Sequence, residues 1–271
     1  MVIKHICYKS VAPGSTPSLA TPFGSGTASS DSFTILNSKE PAAIVDWITH
    51  SIGSGYHAIL SESMHDQTQG YKVAVRGSGT SAGAGLTQRL SIFGLPQQVE
   101  PQERLSVIVT GSSTAGDNEI GMLTIAYPSL PSINPRLLTF ADVQKMGLTT
   151  TTVQCTITGS GAGYSGAELI TADVDLMKAN TDYALIGIST TTEILGAYIQ
   201  GPDTGNEKMI VPGFSDNRET VDYWAKLSRV MGEATIPVLN SGNRSNTFVG
   251  IAANENAGST ALTLHLVELA K

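Results

Sequence analysis

The sequence predicts an all-β chain built as two successive copies of one unit, and three observations lead there. Charged residues make up only 14% of the 271 residues, against roughly 25% in an ordinary soluble domain. Ser and Thr together number 57 and Gly 28, a palette of strands and turns rather than helices. Short β-branched or alternating runs recur along the chain between Gly, Ser, Pro and Asn clusters, which is the signature of antiparallel sheets in a sandwich or barrel.

The strands are expected at Tyr71 to Arg76, Leu90 to Phe93, Leu105 to Thr110, Gly121 to Tyr127, Thr152 to Thr158, Tyr183 to Ile188, Ala197 to Gln200, Thr235 to Leu239, Thr247 to Ala252 and Ala261 to Glu268. Three short helices are expected between them. Pro41 to Ile52 places Ile44, Trp47, Ile48 and Ile52 on one helical face behind a Pro in the first turn. Thr139 to Met146 has a Thr cap, an Asp in its first turn and Gly147 as its stop. Asn217 to Met231 spaces Val221, Trp224, Leu227 and Met231 at helical intervals and ends at Gly232.

Repetition is the more informative signal. Tyr56-His57-Ala58-Ile59-Leu60 has a counterpart in Tyr183-Ala184-Leu185-Ile186, and Val73-Ala74-Val75-Arg76-Gly77 in Ala197-Tyr198-Ile199-Gln200-Gly201. Ile92-Phe93-Gly94 matches Val211-Pro212-Gly213, and Leu123-Thr124-Ile125 matches Leu262-Thr263-Leu264. Cys7 and Cys155 mark the opening strand of each copy. Pro128, Pro131 and Pro135 interrupt any strand ahead of the connecting helix, so the copies are read as residues 1–138 and 139–271.

Each copy is long enough to bury a core without staples. Two cysteines exclude a disulfide scaffold, and their separation gives no C-x-x-C site. No apolar stretch reaches the length of a membrane-spanning helix, and Met1 to Lys9 lacks a signal-peptide core. A net charge of −7 without a basic cluster argues against direct nucleic-acid binding. Lys4 and Lys9 are the only charged residues before Asp31, which reads as a weakly basic N-terminal arm.

No constellation of catalytic residues emerges. Gly79-Thr80-Ser81-Ala82-Gly83 matches a nucleophile elbow and Gly77 to Ala82 a dinucleotide loop, but no helix follows directly, and the only later His is His265 in the last strand. His5, His50, His57, His65 and His265 lack metal-ligand spacing, and four of the five read as ordinary surface or edge residues, with His57 half-buried. Gly201-Pro202-Asp203-Thr204-Gly205-Asn206 is the sharpest local motif. It reads as a tight turn, with an exposed oxygen-rich loop presenting Asp203 and Asn206 as the functional alternative. Glu168, Asp173 and Asp175 read as the solvated side of an amphipathic segment, and Trp47 and Trp224 as helix packing rather than stacking platforms for sugars or bases. Asn243-Arg244-Ser245 is a glycosylation sequon by pattern alone.

With its paired anchors Tyr56 and Tyr183, Arg76-Gly77 and Gln200-Gly201, and Leu123-Thr124-Ile125 and Leu262-Thr263-Leu264, the chain resembles the double jelly-roll major capsid proteins of tailless icosahedral viruses, often with an internal membrane. The resemblance implies two tandem jelly-roll β-barrels, homotrimers with a pseudo-hexagonal outline, and an icosahedral shell in a virion made in the host cytoplasm. It also implies contacts with minor capsid proteins and internal lipid, an inward arm at Lys4 and Lys9, and no enzyme activity, cofactor or metal. The alternative from the residues alone is a β-sandwich binding module that takes glycans through Trp or the Gly201 to Asn206 loop. A hydrolase built on Ser81 is the third.

Overall fold

A computed structural model describes residues 2–23, 33–34, 42–51, 54–61, 71–76, 86–91, 97–101, 104–127, 136–158, 164, 167–191, 194, 196–212, 221–253 and 259–270. The chain divides into an N-terminal unit, Ile3–Ser129 with Gly161–Gly163, and a C-terminal unit, Leu130–Ser160 and Tyr164–Lys271 with Met1–Val2.

The N-terminal unit holds β1 (Val2–Val11), β2 (Ser18–Leu19), β3 (Thr21–Phe23), β4 (Phe33–Thr34), β5 (Ala42–Ser51), β6 (Ser54–Ser61), β7 (Tyr71–Arg76), β8 (Leu86–Ser91), β9 (Gln97–Val99), β10 (Arg104–Val109) and β11 (Asn118–Tyr127). One sheet runs β3-β1-β11-β5-β8, with β9 also on β5, and the other runs β2-β10-β6-β7, with β4 also on β10.

The C-terminal unit holds β12 (Leu137–Leu138), α1 (Phe140–Met146), β13 (Gly147–Thr158), β14 (Glu168–Leu169), β15 (Asp182–Thr190), β16 (Gly196–Gln200), β17 (Met209–Pro212), α2 (Tyr223–Met231), β18 (Ile236–Asn240), β19 (Phe248–Ala253) and β20 (Ser259–Leu269). Its sheets run β12-β18-β15-β20-β13 and β14-β19-β16-β17. Because β12 pairs with β18, Leu137 and Leu138 belong to the C-terminal unit, although the sequence reading ended the first copy at 138.

The two units share one strand order. The path β1-β11-β5 and then β8 or β9 corresponds to β13-β20-β15-β18, and β2-β10-β6-β7 corresponds to β14-β19-β16-β17. All-β, antiparallel and with few helices, this connectivity is jelly-roll-like. In both units the chain turns back after the short second strand to meet the edge of the first. Thr21 pairs with Lys9 in one unit, and Val174 bridges Gln154 in the other.

This topology corrects the middle of the sequence alignment. Its outer anchors hold, since Cys7 and Cys155 lie on β1 and β13 and are fully buried, and Leu123-Thr124-Ile125 and Leu262-Thr263-Leu264 lie on β11 and β20. The inner anchors are displaced by one strand. Tyr56 is on β6 and Tyr183 on β15, the counterpart of β5; Val73 is on β7 and Ala197 on β16, the counterpart of β6. Neighbouring strands in such a unit carry the same apolar alternation, so pattern alone cannot tell one from the next. The Ile92-Phe93-Gly94 anchor lies outside the described residues.

One helix expectation is overturned. The segment expected as a helix at 41–52 is strand β5, paired with β11 from Ala43 to His50 and with β8 from Asp46 to Ser51. Ile44, Val45, Asp46, Trp47, Ile48 and Thr49 are each at most 1% exposed. A strand buried on both faces loses the two-residue alternation, and its continuous apolar run then fits a helical period by accident.

The other two helices stand, the second with a later start. In α1 the Thr139 hydroxyl accepts the Asp142 N–H at 3.1 Å and the Asp142 carboxylate accepts the Thr139 N–H at 3.0 Å, a closed capping box. The Thr139 hydroxyl also donates to the Asp142 carboxylate at 2.6 Å, and this bond, with the backbone one, holds the Asp142 carboxyl below its ordinary range. Gly147 is extended and opens β13 directly. α2 starts at Tyr223, later than expected, and ends at Gly232 with φ 69°, a left-handed stop that glycine adopts without strain. It packs Tyr223, Trp224 and Leu227, each at most 1% exposed, over β15 and β18. Burying three side chains of this size contributes about 1.5–3 kcal/mol each.

Candidate functional site

The Gly201–Asn206 loop is a single 3-10 turn, Pro202–Thr204, closed by left-handed residues at Gly205 (φ 65°) and Asn206 (φ 61°). Gly201 O accepts the Thr204 and Asn206 N–H groups, and the Thr204 hydroxyl accepts the Gly201 N–H. Within this turn Asp203 is only 8% exposed, while Asn206 is exposed. Asp203 is therefore not a presented ligand, contrary to the exposed-loop alternative. Its Oδ2 accepts the Asn240 N–H at 2.9 Å and its Oδ1 accepts Asn243 Nδ2 at 3.0 Å.

The network extends outward from there. Asn240 Nδ2 donates to Asp182 Oδ1 at 2.6 Å, and Arg136 grips Asp182 with both terminal nitrogens at 3.1 and 2.7 Å. The hydrogen bond to Asp182 raises the Arg136 pKa above its ordinary value. Each acceptor oxygen of Asp203 is matched to a donor, which is the arrangement of a structural tie rather than an open cation or sugar site.

Lys4 and Lys9, expected on an N-terminal arm, are strand residues. Both lie in β1, and Lys9 pairs with Thr21 of β3.

His5, expected at the surface, and His57, expected half-buried, are both buried. His5 is 7% exposed, and burial lowers its pKa from 6.5 to about 3. His57 is fully buried, and its Nδ1 lies 2.8 Å from the Tyr8 hydroxyl, which in turn accepts Trp47 Nε1–H at 2.8 Å. Desolvation pushes the Tyr8 pKa up. This thread joins β1 and β5 of one sheet to β6 of the other through the interior of the N-terminal unit. In the C-terminal unit, His265 Nε2 lies 2.8 Å from the Ser189 hydroxyl, and burial lowers its pKa. Among the described residues no carboxylate is hydrogen-bonded to that imidazole, so the pair lacks the third member of a nucleophilic triad there. Ser81 and His65 lie outside the described residues.

Trp47 and Trp224 are 1% and 0% exposed, so neither offers a face to a sugar or base. Among the acids, Asp173 accepts the Thr156 hydroxyl at 2.7 Å, Asp175 pairs with Arg244 at 3.1 Å, and Glu168 is exposed. Asn243 of the sequon is held by Asp203.

Sequence reading missed a surface. Phe248 (38% exposed) and Leu169 (36%) are directly paired across β19 and β14, and Val174 (37%) and Leu176 (60%) follow on the segment that bridges to β13. The Leu169–Phe248 pair lies at the β14 edge of one sheet, and Val174 at the bridge to the β13 edge of the other. Leu169 and Phe248 are far apart in sequence and meet only through the pairing of β14 with β19.

No family model and no curated protein matches the sequence. Among solved structures, the chain is similar to one described as the triple jelly roll fold and turret assembly in an archaeal virus. That likeness has 10% identity and a TM-score of 0.23, over 99% of this chain and 79% of the other. It is also similar to the PBSX exported protein XepA, with 12% identity and a TM-score of 0.22, over 92% of this chain and 94% of the other. Among the described residues no helix is long and apolar enough to cross a membrane.

Proposed function

We propose that the chain is a structural coat protein: two tandem jelly rolls that assemble as pseudo-hexagonal trimers into the shell of a virion. The observation that carries this reading is the strand order, which is the same in both units and pairs the same topological positions in four sheets. Fusing two like units in one chain gives a threefold assembly six similar lobes, an outline that tiles like a hexagon. The low charge content, 14% of residues, supports the reading as well, because it lowers the desolvation cost of repeated subunit contacts. Several polar side chains weighed as candidates are engaged within the fold, Asp203 by Asn240 and Asn243, and His57 and Trp47 by the Tyr8 hydroxyl. Minor capsid proteins and internal lipid are further partners under this reading.

The test is the mass of the purified chain by light scattering across a concentration series, followed by negative-stain microscopy of concentrated samples. A species of three 28.3 kDa chains is expected. A strict monomer at high concentration, with no ordered particles, overturns the reading.

A further inference from the structure

We propose that the outer edge of β13, at Thr150 and Thr152, pairs antiparallel with the same edge of a second copy of this chain across a twofold axis. The inference rests on the self-assembly reading and adds to it a contact and its symmetry. β13 is a 12-residue strand at the end of its sheet, with β20 on one side. Its register with β20 is unbroken from Thr150 to Thr158. On the other side the Gln154 N–H donates to Val174 O at 3.1 Å, and Gln154 O accepts the Val174 N–H at 3.0 Å. Alternate residues of a regular antiparallel strand send both main-chain groups to the same side, so Thr152 and Thr150 also direct theirs away from β20. Among the described residues no strand meets them there. Thr150 is exposed and Thr152 half-buried.

Natural edge strands carry devices against such pairing, among them charges, prolines and short length. The other described edge strands of this chain have them. β7 contains Lys72 and Arg76, β8 contains Arg89, β14 opens with Glu168, β3 contains Pro22 and β17 ends on Pro212. β2, β4 and β12 are two residues long and β9 three. β13 has neither a charged residue nor a proline over its whole length. That composition selects the occupant, because two copies of the edge meet without opposing like charges. With a twofold axis at Thr151, each Thr150 exchanges both main-chain bonds with Thr152 of the other copy, so every outward group of the stretch is matched. Threonines opposed across strands are themselves a favourable pair. A twofold contact is isologous, so it joins one trimer to the next rather than building the trimer.

The test uses two edge variants. Thr152→Pro removes an outward N–H and leaves the bonds to β20 in place, as proline at a sheet edge does. Thr150→Lys combined with Thr152→Lys sets like charges across the axis. Thr158→Lys, at an exposed position of the same strand, is the control. Urea melts verify that each variant is folded, and light scattering gives the mass. Where trimers of the natural chain pair, the edge variants are expected to lose at least tenfold in that pairing yet remain trimers, and Thr158→Lys to pair as before. A second arm uses Thr151→Cys under mild oxidation. At the axis Thr151 opposes its own copy in a pair without hydrogen bonds, about 4.5 Å between Cα atoms, so disulfide-linked dimers are expected. Cys7 and Cys155 are fully buried, which leaves the introduced thiol as the accessible one. Natural trimers that never pair, edge variants that pair undiminished, or Thr151→Cys trimers without disulfide dimers overturn the edge contact while self-assembly stands. Disulfide dimers of Thr151→Cys in a chain that never forms trimers keep the contact and overturn the trimer. A strict monomer overturns both.

Discussion

Asn243 Nδ2 sits 3.0 Å from Asp203 Oδ1, and this bond ties the turn after β16 to the turn after β18. With the Asn240 N–H on the other oxygen, the Asp203 carboxylate seats two loops of the C-terminal unit at once. Replacing Asp203 by Ala removes both acceptors from a site that is 8% exposed. Hydrogen bonds to charged groups contribute about 1.5–3 kcal/mol each. Asp203→Ala is expected to lower the urea midpoint by a corresponding amount, and Asp203→Asn, which keeps one acceptor oxygen, by roughly half as much. An Asp203→Ala chain as stable as the natural one would contradict this role.

Tyr8→Phe tests the thread through the N-terminal unit. The substitution keeps the ring, but it takes the acceptor from Trp47 Nε1–H and the hydroxyl from His57 Nδ1 in a fully buried setting. A buried donor or acceptor left unmatched costs about 1–3 kcal/mol. Loss of stability in urea, with a change in the fluorescence of the buried Trp47, is the expected result. Gly121 lies beneath the Tyr8 hydroxyl so closely that a Cβ would collide with it, so Gly121→Ala should reproduce the effect by displacing the ring.

Acid should loosen the N-terminal unit through His5. Its folded pKa, about 3, lies below the ordinary 6.5 because burial disfavours the cation. Over the interval between those values the unfolded chain binds more protons than the folded one, so stability falls as pH falls. The slope from one such group approaches about 1.4 kcal/mol per pH unit. Urea melts between pH 7 and pH 5, above most carboxylate titrations, should show the decline, and His5→Leu should flatten it. An unchanged slope in His5→Leu would refute the assignment.

The thiols should be silent. Burial, with Asp173 and Glu168 nearby, pushes Cys155 up to about 12, and Cys7 is fully buried. Nucleophilic thiolate is scarce under those conditions. A thiol reagent at neutral pH is expected to modify neither residue in the folded protein and both in urea.

Much of the fold was legible where strands bury one face. The alternation of β20, with Thr260, Leu262, Leu264 and Leu266 buried and the residues between them half-exposed, is a plain two-residue signal. Thr139 and Asp142 likewise announced their helix through a local cap. Legibility failed where burial depends on distant partners. β5 concealed its strand character because both faces are covered. Asp203 looked available because its turn chemistry is local, whereas Asn240 and Asn243 are about forty residues away. The exposed Leu169–Phe248 pair had no sequence signal, since the two residues meet only through strand pairing.

The double burial of β5 also sets how the chain tolerates change. A strand with one wet face accepts polar substitutions at every second position, so a saturation scan along β20 should rise and fall with a two-residue rhythm. From Ile44 to Thr49 that rhythm should vanish, because no position in the stretch is more than 1% exposed. In sequence drift this short segment would be one of the slow parts of the N-terminal half, together with its partner β11, which is buried without a break from Glu119 to Ala126.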